Sequence, residues 1–307
     1  MNQGGKQRIV VIGLGSMGYG MALSLQRVFE VTGYDPDGAA VRRFADTGGN
    51  VAASAIEAAR DADVMVLAVV NAAQTEAVLF GTPQQPGAVA TMRAGGVVIS
   101  SATMAPDDAR QIAARCVEAG VEYLDAPMSG GAARAAAGEL TILASGSPAA
   151  FARAETALAA MAKTVHRLGD QPGTGAAFKI INQLLAGVHI AAACEAIAFA
   201  TKLGLDIGKV FEVITGSAGN SWMFENRVPH ILAGDYRPAS AVDIFTKDLG
   251  IVADIGRAQK FPTPLAASAM QLFLMTAAAG MGRDDDASVA RLYALIADLD
   301  LPGMAQD

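Results

Sequence analysis

The chain has 307 residues, of which 52% are hydrophobic and 17% are charged, and its formal net charge is -7. This length exceeds what one hydrophobic core usually supports, so we expect two folded domains and not a disordered chain. The negative charge argues against a nucleic-acid partner or an anionic membrane, because both bind clustered Lys and Arg side chains.

Short apolar runs alternate with Ala-rich stretches through the first half of the chain. We predict strands at residues 9–12, 31–34, 64–69, 97–100, 123–124 and 140–144. Most stretches between them are long enough for a crossover helix. This alternation is typical of a mostly parallel sheet with helices on both faces, so residues 1–172 are predicted to form an α/β domain.

After His166 nearly every segment has a helical pattern. Breaks occur at Gly204 and at residues 216–220, 234–238 and 261–264. Residues 176–203 predict a single helix of about 28 residues, longer than ordinary helices. Residues 173–307 are therefore predicted to form an all-helical domain for substrate binding and oligomerisation. The apolar surface of the long helix favours a homodimer or homotetramer.

The sequence shows no targeting pattern. The first residues lack a signal-peptide arrangement. The longest apolar stretch, residues 184–200, contains His189 and Glu195 and is shorter than the roughly 20 residues of a membrane span. Cys116 and Cys194 lie far apart in no metal-binding spacing, which predicts two free thiols. We expect a cytoplasmic protein without a metal.

A glycine motif follows the first predicted strand directly. It consists of Gly13, Leu14, Gly15, Ser16, Met17 and Gly18. Its glycines allow a tight turn, close approach of a pyrophosphate, and close packing of the next helix, whose N-terminus attracts phosphate. A GxGxxG alone is weak, but here it follows an apolar strand and opens a helix, as a dinucleotide site requires. The first domain is therefore predicted to be of the Rossmann type.

The second predicted strand ends at Asp35. A carboxylate about 20 residues beyond the glycines binds the adenosine ribose hydroxyls and repels a 2′-phosphate, which favours NAD over NADP. Arg42 and Arg43 follow in the next helix and are interpreted as surface residues. The alternative is a Gly-rich turn in an α/β protein that binds no nucleotide.

Four further segments resemble the β-hydroxyacid dehydrogenases. That family includes 3-hydroxyisobutyrate dehydrogenase, tartronate semialdehyde reductase and, more distantly, 6-phosphogluconate dehydrogenase. The segments are residues 125–131 (DAPMSGG), 138–141 (GELT), 173–179 (GTGAAFK) and 247–249 (KDL). With the glycine motif they follow the family's order along the whole chain, which is more specific than any single motif.

Two further segments resemble the L-threonate dehydrogenase branch of this family, residues 183–190 (QLLAGVHI) and 220–227 (NSWMFENR). The chain departs from the family by having Gln183 where Asn is common, and Val69 and Val70 where Leu-Pro is frequent. The resemblance implies an NAD-dependent dehydrogenase of a small hydroxy acid, with oxidation of L-threonate to its 2-oxo acid favoured. The alternatives are 3-hydroxyisobutyrate dehydrogenase and a reductase of tartronate semialdehyde, succinic semialdehyde or glyoxylate.

The resemblance also implies residue roles. Lys179 is the general acid/base, because oxidising an alcohol requires a group that takes the hydroxyl proton. Substrate binding falls to Ser129, Gly130 and Gly131, and to Asn182 and Gln183 on the helix face of Lys179. Cofactor contacts are expected from Val69, Val70, Thr103 and Lys247, in a cleft between the two domains. A rival class is a non-catalytic NAD-binding protein, which would need neither Lys179 nor the Ser129 turn.

Other polar residues are interpreted as structural. His166 and His189 are expected to be structural, the latter in a core or an interface. Residues 222–224 are expected to be packing, with a place in the substrate pocket as the alternative. Arg227 is a weaker candidate for binding an acid group. The run of Asp residues 284–286 is predicted to be a solvated loop or a helix cap.

Overall fold

The computed structural model describes residues 7–82 and 85–304. The chain divides into two compact units, with the division between Lys179 and Ile180. The first unit contains a six-stranded parallel sheet with helices, and the second unit is helical. The predicted fold class, a Rossmann-type α/β domain followed by an all-α domain, is confirmed.

The strands of unit 1 alternate with its helices. The strands are β1 (Ile9–Ile12), β2 (Val31–Tyr34), β3 (Asn50–Val51), β4 (Val64–Leu67), β5 (Gly81–Thr82), β6 (Gln85–Pro86), β7 (Val97–Ser100), β8 (Glu122–Asp125), β9 (Met128–Ser129), β10 (Leu140–Ala144) and β11 (Ala162–Arg167). The helices are α1 (Ser16–Gln26), α2 (Gly38–Ala45), α3 (Ala55–Ala59), α4 (Ala72–Phe80), α5 (Pro106–Glu118), α6 (Gly131–Ala137) and α7 (Pro148–Met161), with a 3₁₀ turn at Ala88–Thr91.

The main sheet has the strand order β3-β2-β1-β4-β7-β8, and all its pairs are parallel. Its central strands are buried on both faces, because alternate side chains enter two different cores. Val11 and Val66 belong to one core cluster, whereas Val10 and Met65 belong to the other. The strand order reverses between β1 and β4, which is where open α/β sheets bind their ligands.

A second sheet of three strands has the order β11-β10-β9. Strand β11 is parallel to β10, and β9 is antiparallel to it. Of these three strands, only β10 was predicted from the sequence. Strand β11 was missed because the side chains of that strand are exposed or half-buried and form no apolar run, and β9 because it has only two residues.

Unit 2 is built around a helix that begins in unit 1. Helix α8 (Thr174–Lys202) has 29 residues, which confirms the predicted long helix. It is followed by α9 (Ile207–Thr215), α10 (Trp222–Ala233), α11 (Val242–Ala258), α12 (Pro264–Thr276) with a π-helical continuation (Ala277–Met281), a 3₁₀ turn (Asp286–Ser288) and α13 (Val289–Ala297).

Among the residues that the structure describes, two helices are long and apolar enough to cross a membrane by length and composition alone, α8 and the helix Pro264–Met281. The apolar stretch of α8, residues 184–200, is by itself shorter than a membrane span. Half of the apolar window of α8 is buried within the structure. A core helix of a soluble protein passes the same test, so the finding is weak evidence for a membrane span.

The Asp run after α12 differs from its prediction. Asp285 does cap the 3₁₀ turn, since its carboxylate accepts a hydrogen bond from the amide of Ala287. The prediction of a solvated loop is wrong, however, because Asp285 and Asp286 are fully buried. Asp285 lies 3.0 Å from Nδ1 of His230. Asp286 forms an ion pair of 2.5 Å with Nε of Arg227, so this guanidinium is committed to the core of unit 2.

Candidate active site

The glycine motif forms the turn between β1 and α1. Gly13 has a φ of +93°, and a Cβ on it would lie 2.6 Å from the carbonyl oxygen of Ala68. A Cβ on Gly18 would lie 1.8 Å from the carbonyl oxygen of Gly13. These two positions therefore admit only glycine.

The N-terminus of α1 is accessible from outside the protein. Gly15, the N-cap residue, is exposed, and a Cβ there would meet nothing within 4 Å. No side chain caps the helix, and the first amides of a helix have no partner within it. Ser16 at the helix start is exposed as well, and Met17 is half-buried. The turn therefore fits the pyrophosphate of a dinucleotide, which would lie against Gly15 at the positive end of α1.

Asp35 lies directly beside this turn. Its Oδ2 accepts a hydrogen bond of 2.6 Å from the amide of Leu14, and its Oδ1 accepts one of 2.8 Å from the amide of Asp37. The half-buried carboxylate is thus held at the end of β2, next to the glycines. A ribose contact at this position stays a prediction.

Arg43 has a contact that the sequence analysis missed. Arg42 and Arg43 are both exposed, as expected of surface residues. Arg43 nevertheless donates a hydrogen bond of 2.8 Å to the carbonyl of Leu14, and its guanidinium lies 4.0 Å from the ring centre of Tyr19. The Leu14 residue is consequently held by Asp35 on its amide side and by Arg43 on its carbonyl side. No local pattern signals this contact, because it joins α2 to the turn before α1.

Three of the predicted cofactor contacts follow β4 and β7, which are neighbours in the sheet. Val69 is partly buried, and Val70 is 43% exposed with its amide bonded to Oε1 of Gln74. Thr103 is half-buried just beyond β7. Because parallel strands end at the same edge of a sheet, all three residues lie at the edge where the glycine turn lies.

Lys179 contacts the predicted substrate turn. It lies in the second turn of α8 and is only 9% exposed. Its Nζ donates a hydrogen bond of 2.8 Å to the carbonyl of Met128, the residue before Ser129. Gly130 and Gly131 have φ angles of 137° and 79°, a region that favours glycine, and they lead the chain from β9 into α6. The structure thus brings the DAPMSGG and AAFK segments together within unit 1.

In unit 2, Gln183 is part of a chain of polar contacts. Its Nε2 donates a hydrogen bond of 2.5 Å to Oδ2 of buried Asp248, and its Oε1 accepts one of 3.0 Å from Asn182. The other oxygen of Asp248 lies 2.5 Å from Nζ of Lys247. Asp248 thus forms an ion pair with the lysine next to it in the chain. The hydrogen bond of Gln183 to this pair was not predicted from the sequence.

The remaining candidates lie elsewhere. His166 is exposed on β11, and His189 is half-buried on α8, where it lines an apolar groove of unit 2. Trp222 is 49% exposed, whereas Phe224 is buried and stacks on Phe211 at 5.9 Å between ring centres. The interpretation of Phe224 as packing is confirmed.

These features together define a class of protein. A glycine turn at the reversal point of a parallel sheet, an acidic residue after the second strand, and a buried lysine against a Ser-Gly-Gly turn are the parts of a dinucleotide-dependent dehydrogenase.

Comparison with known proteins gives the family. Residues 8–169 match the profile described as the NAD-binding domain of 6-phosphogluconate dehydrogenase. Residues 173–293 match the one described as NAD-binding of NADP-dependent 3-hydroxyisobutyrate dehydrogenase. The chain belongs to this family of NAD(P)-dependent hydroxyacid dehydrogenases, and it is an oxidoreductase.

Several relatives are similar over nearly their whole length. An L-threonate dehydrogenase of Cupriavidus necator is 53% identical over 98% of this chain and 99% of its own. One from Escherichia coli K12 is 45% identical over 99% of both chains. A crystal structure of 3-hydroxyisobutyrate dehydrogenase from Salmonella typhimurium has 47% identity and a TM-score of 0.88, covering 93% of this chain and 99% of that one.

Proposed function

We propose that this protein oxidises L-threonate to its 2-oxo acid with NAD, and that Lys179 is the general acid/base. The observation that carries the proposal is the 2.8 Å contact between Nζ of Lys179 and the carbonyl of Met128. It places a buried amine beside the Ser129 turn, where a hydroxy acid would bind. The L-threonate dehydrogenases at 45–53% identity support the choice of substrate.

The proposed reaction removes a hydride from carbon and a proton from oxygen. Bound NAD supplies the hydride acceptor. Lys179, as a neutral amine, takes the hydroxyl proton while the carbon–oxygen bond becomes a carbonyl, and it returns that proton in the reverse direction. The hydroxyl of Ser129 and the amides of Gly130 and Gly131 bind the substrate carboxylate. Burial of Lys179 keeps water from the proton transfer.

Gln183 and Asn182 follow Lys179 by one turn of α8 and are proposed to orient the substrate. Asn182 donates to Gln183, which donates to Asp248, so each amide in this chain of contacts is fixed in one orientation. Asp248 in turn holds Lys247, the proposed cofactor contact. Gln183 is one methylene longer than the Asn common in the family, and it is our candidate for the residue that selects the substrate.

The proposal includes NAD in preference to NADP. Asp35 lies 2.6 Å from the amide of Leu14, next to the glycines. A carboxylate there binds ribose hydroxyls and repels a 2′-phosphate.

We further propose that the protein is a cytoplasmic homodimer or homotetramer that acts on sugar acids in carbohydrate metabolism. Helix α8 exposes large apolar side chains, namely Phe178, Ile181, Leu185 and Phe199, each between 49% and 63% exposed. In unit 2, its second half borders an apolar groove of about 810 Å³ with α9 and the start of α10. A second copy would cover such a surface. Cys116 and Cys194 are both free and buried, as in reducing compartments.

A second candidate is 3-hydroxyisobutyrate dehydrogenase, the name of the Salmonella typhimurium structure at 47% identity. A reductase of tartronate semialdehyde, succinic semialdehyde or glyoxylate is the remaining alternative. These activities share the lysine chemistry and differ in the acid that is bound.

The test is a substrate panel followed by NADH absorbance at 340 nm. The panel contains L-threonate, D-threonate, L-erythronate and 3-hydroxyisobutyrate with NAD or NADP, and the three aldehyde acids with NADH. The proposal predicts the highest kcat/KM for L-threonate with NAD. A higher kcat/KM for another acid would show that this acid, and not L-threonate, is the substrate. NAD binding without turnover of any acid would indicate a non-catalytic protein.

A further inference from the structure

The N-terminus of α8, the helix that bears Lys179, is anchored by a buried carboxylate. Asp125 is the last residue of β8 and is 1% exposed. Its Oδ2 accepts hydrogen bonds from the amides of Gly173 (2.9 Å) and Ala176 (2.8 Å) and from Oγ of Ser145 (3.1 Å). Ser145 is also buried, and its Oγ accepts a bond of 2.9 Å from the amide of Gly175. Three amides at the helix start are thus bound to side chains of the sheets.

The anchor leaves no space for adjustment. A Cβ on Gly175 would lie 2.3 Å from the carbonyl oxygen of Leu143 and 3.1 Å from Oδ2 of Asp125. Gly173 has a φ of +95°, which favours glycine. The first turn of α8 therefore lies directly against the ends of β8 and β10.

The anchor and the catalytic contact form a closed ring. Lys179 follows Ala176 by three residues, which is about 4.5 Å along the helix axis. Its Nζ bonds to the carbonyl of Met128, and Met128 follows Asp125 by three residues. The same short segment thus holds the start of the helix with Asp125 and receives the lysine at Met128.

The charge of this cap is noteworthy, because a neutral Ser or Asn caps a helix as well as Asp does. Burial raises the pKa of the Asp125 carboxyl, while hydrogen bonds from the Ala176 and Gly173 amides and from Ser145 oppose this rise. Arg110 attracts the carboxylate, and Tyr123 is the other titratable group beside it. The positive end of the α8 dipole stabilises the negative charge.

We propose that Asp125 is a positioning residue for Lys179. It holds the first turn of α8 so that Nζ of Lys179 stays at the Met128–Ser129 turn. This inference rests on the proposed function, in which Lys179 moves the proton.

The test compares three variants of the full chain. Asp125→Ala removes the anchor, and Asp125→Asn keeps one oxygen acceptor without the charge. Ser145→Ala is the matched control: it removes the bonds of Oγ to the Gly175 amide and to Oδ2 of Asp125, and it leaves the bonds from the Gly173 and Ala176 amides to Asp125. For each, we measure kcat and KM for L-threonate and NAD, with folded enzyme counted by stoichiometric NADH binding, and the melting temperature.

We expect Asp125→Ala to lower kcat per folded enzyme by about 10²-fold, the scale of a displacement of about 1 Å at a reacting group. On the same scale, kcat per folded enzyme should fall by about 10-fold in Asp125→Asn and by less than about 3-fold in Ser145→Ala. KM for NAD should not change. Both Ala variants should melt at lower temperature, so stability alone would not separate them.

An unchanged kcat per folded enzyme in Asp125→Ala, or an equal loss in Ser145→Ala, would show that the cap is only structural. If Asp125→Ala does not fold, Asp125→Asn is used in its place, and an unchanged kcat per folded enzyme in that variant would likewise show that the cap is only structural. Lys179→Ala is measured in parallel. Turnover by Lys179→Ala would overturn the proposed function, whereas loss in Lys179→Ala without loss in the Asp125 variants would overturn this inference alone.

Discussion

Two glycines of the dinucleotide turn, Gly15 and Gly18, should differ in what the protein loses when each is replaced by alanine. Gly18→Ala should lower the stability of the fold, and Gly15→Ala should weaken the binding of the dinucleotide. At Gly18 the new Cβ would lie 1.8 Å from the carbonyl oxygen of Gly13, where real Cβ atoms keep at least 3.0 Å. The start of α1 would have to move by about 1.2 Å. Overpacking of this kind costs up to about 3 kcal/mol. Alanine regains about 1 kcal/mol through its helix propensity, so about 2 kcal/mol should be lost.

At Gly15 a Cβ would meet nothing within 4 Å. Gly15→Ala should therefore change the free energy of unfolding by less than about 1 kcal/mol. The methyl group would occupy the space of the pyrophosphate, so the Kd for NADH should rise at least about 10-fold, which is about 1.4 kcal/mol.

The assay combines urea unfolding with a fluorescence titration of NADH on the same preparations. Gly15→Ala should separate the two quantities, with near-normal stability and weak binding, whereas Gly18→Ala should lose stability. Normal NADH binding by Gly15→Ala, or an equal loss of stability in both variants, would refute the account of this turn.

Two other predictions concern charged side chains. Asp35→Ala should lower the ratio of kcat/KM for NAD to kcat/KM for NADP. The control Asp37→Ala, which removes the cap of α2, should leave this ratio unchanged. Equal ratios in both variants and the wild type would show that Asp35 does not select the cofactor. His230 has a raised pKa, chiefly because of its hydrogen bond with Asp285. Its protonated form therefore stabilises the fold below its unfolded pKa of about 6.5, and this contribution is lost as pH rises through the higher folded value. The stability difference between wild type and His230→Gln, measured by urea unfolding, should be larger at pH 6 than at pH 9, and an equal difference would contradict the assignment.

The parts of the fold that were predicted correctly have local signals in the sequence. Strands β1, β4 and β7 are buried at every position, and all their residues except Ser100 are apolar, so they are recognisable in the sequence as apolar runs. The glycine turn and Asp35 are close in sequence, and their spacing is what predicts a dinucleotide site there. The long helix α8 was predicted over residues 176–203, and this range contains no proline and a single glycine.

The parts that were missed depend on contacts between distant residues. Arg43 meets Leu14 only because α2 packs near the turn, and Gln183 meets Asp248 across 65 positions. The Asp run was misjudged because its partners, Arg227 and His230, lie on another helix. A charged residue has no local mark that tells a buried ion pair from a solvated surface. Asp125 was treated as part of a motif, and its role at the start of α8 became visible only in the structure.

The most direct measurement of the central claim is the single-turnover rate of NADH formation from L-threonate at saturating NAD, for wild type, Lys179→Ala and the control Lys163→Ala. Lys163 is an exposed lysine of β11. The account predicts that Lys179→Ala is slower by at least about 10²-fold with an unchanged Kd for NADH, while Lys163→Ala equals the wild type. A near-normal rate in Lys179→Ala would contradict it.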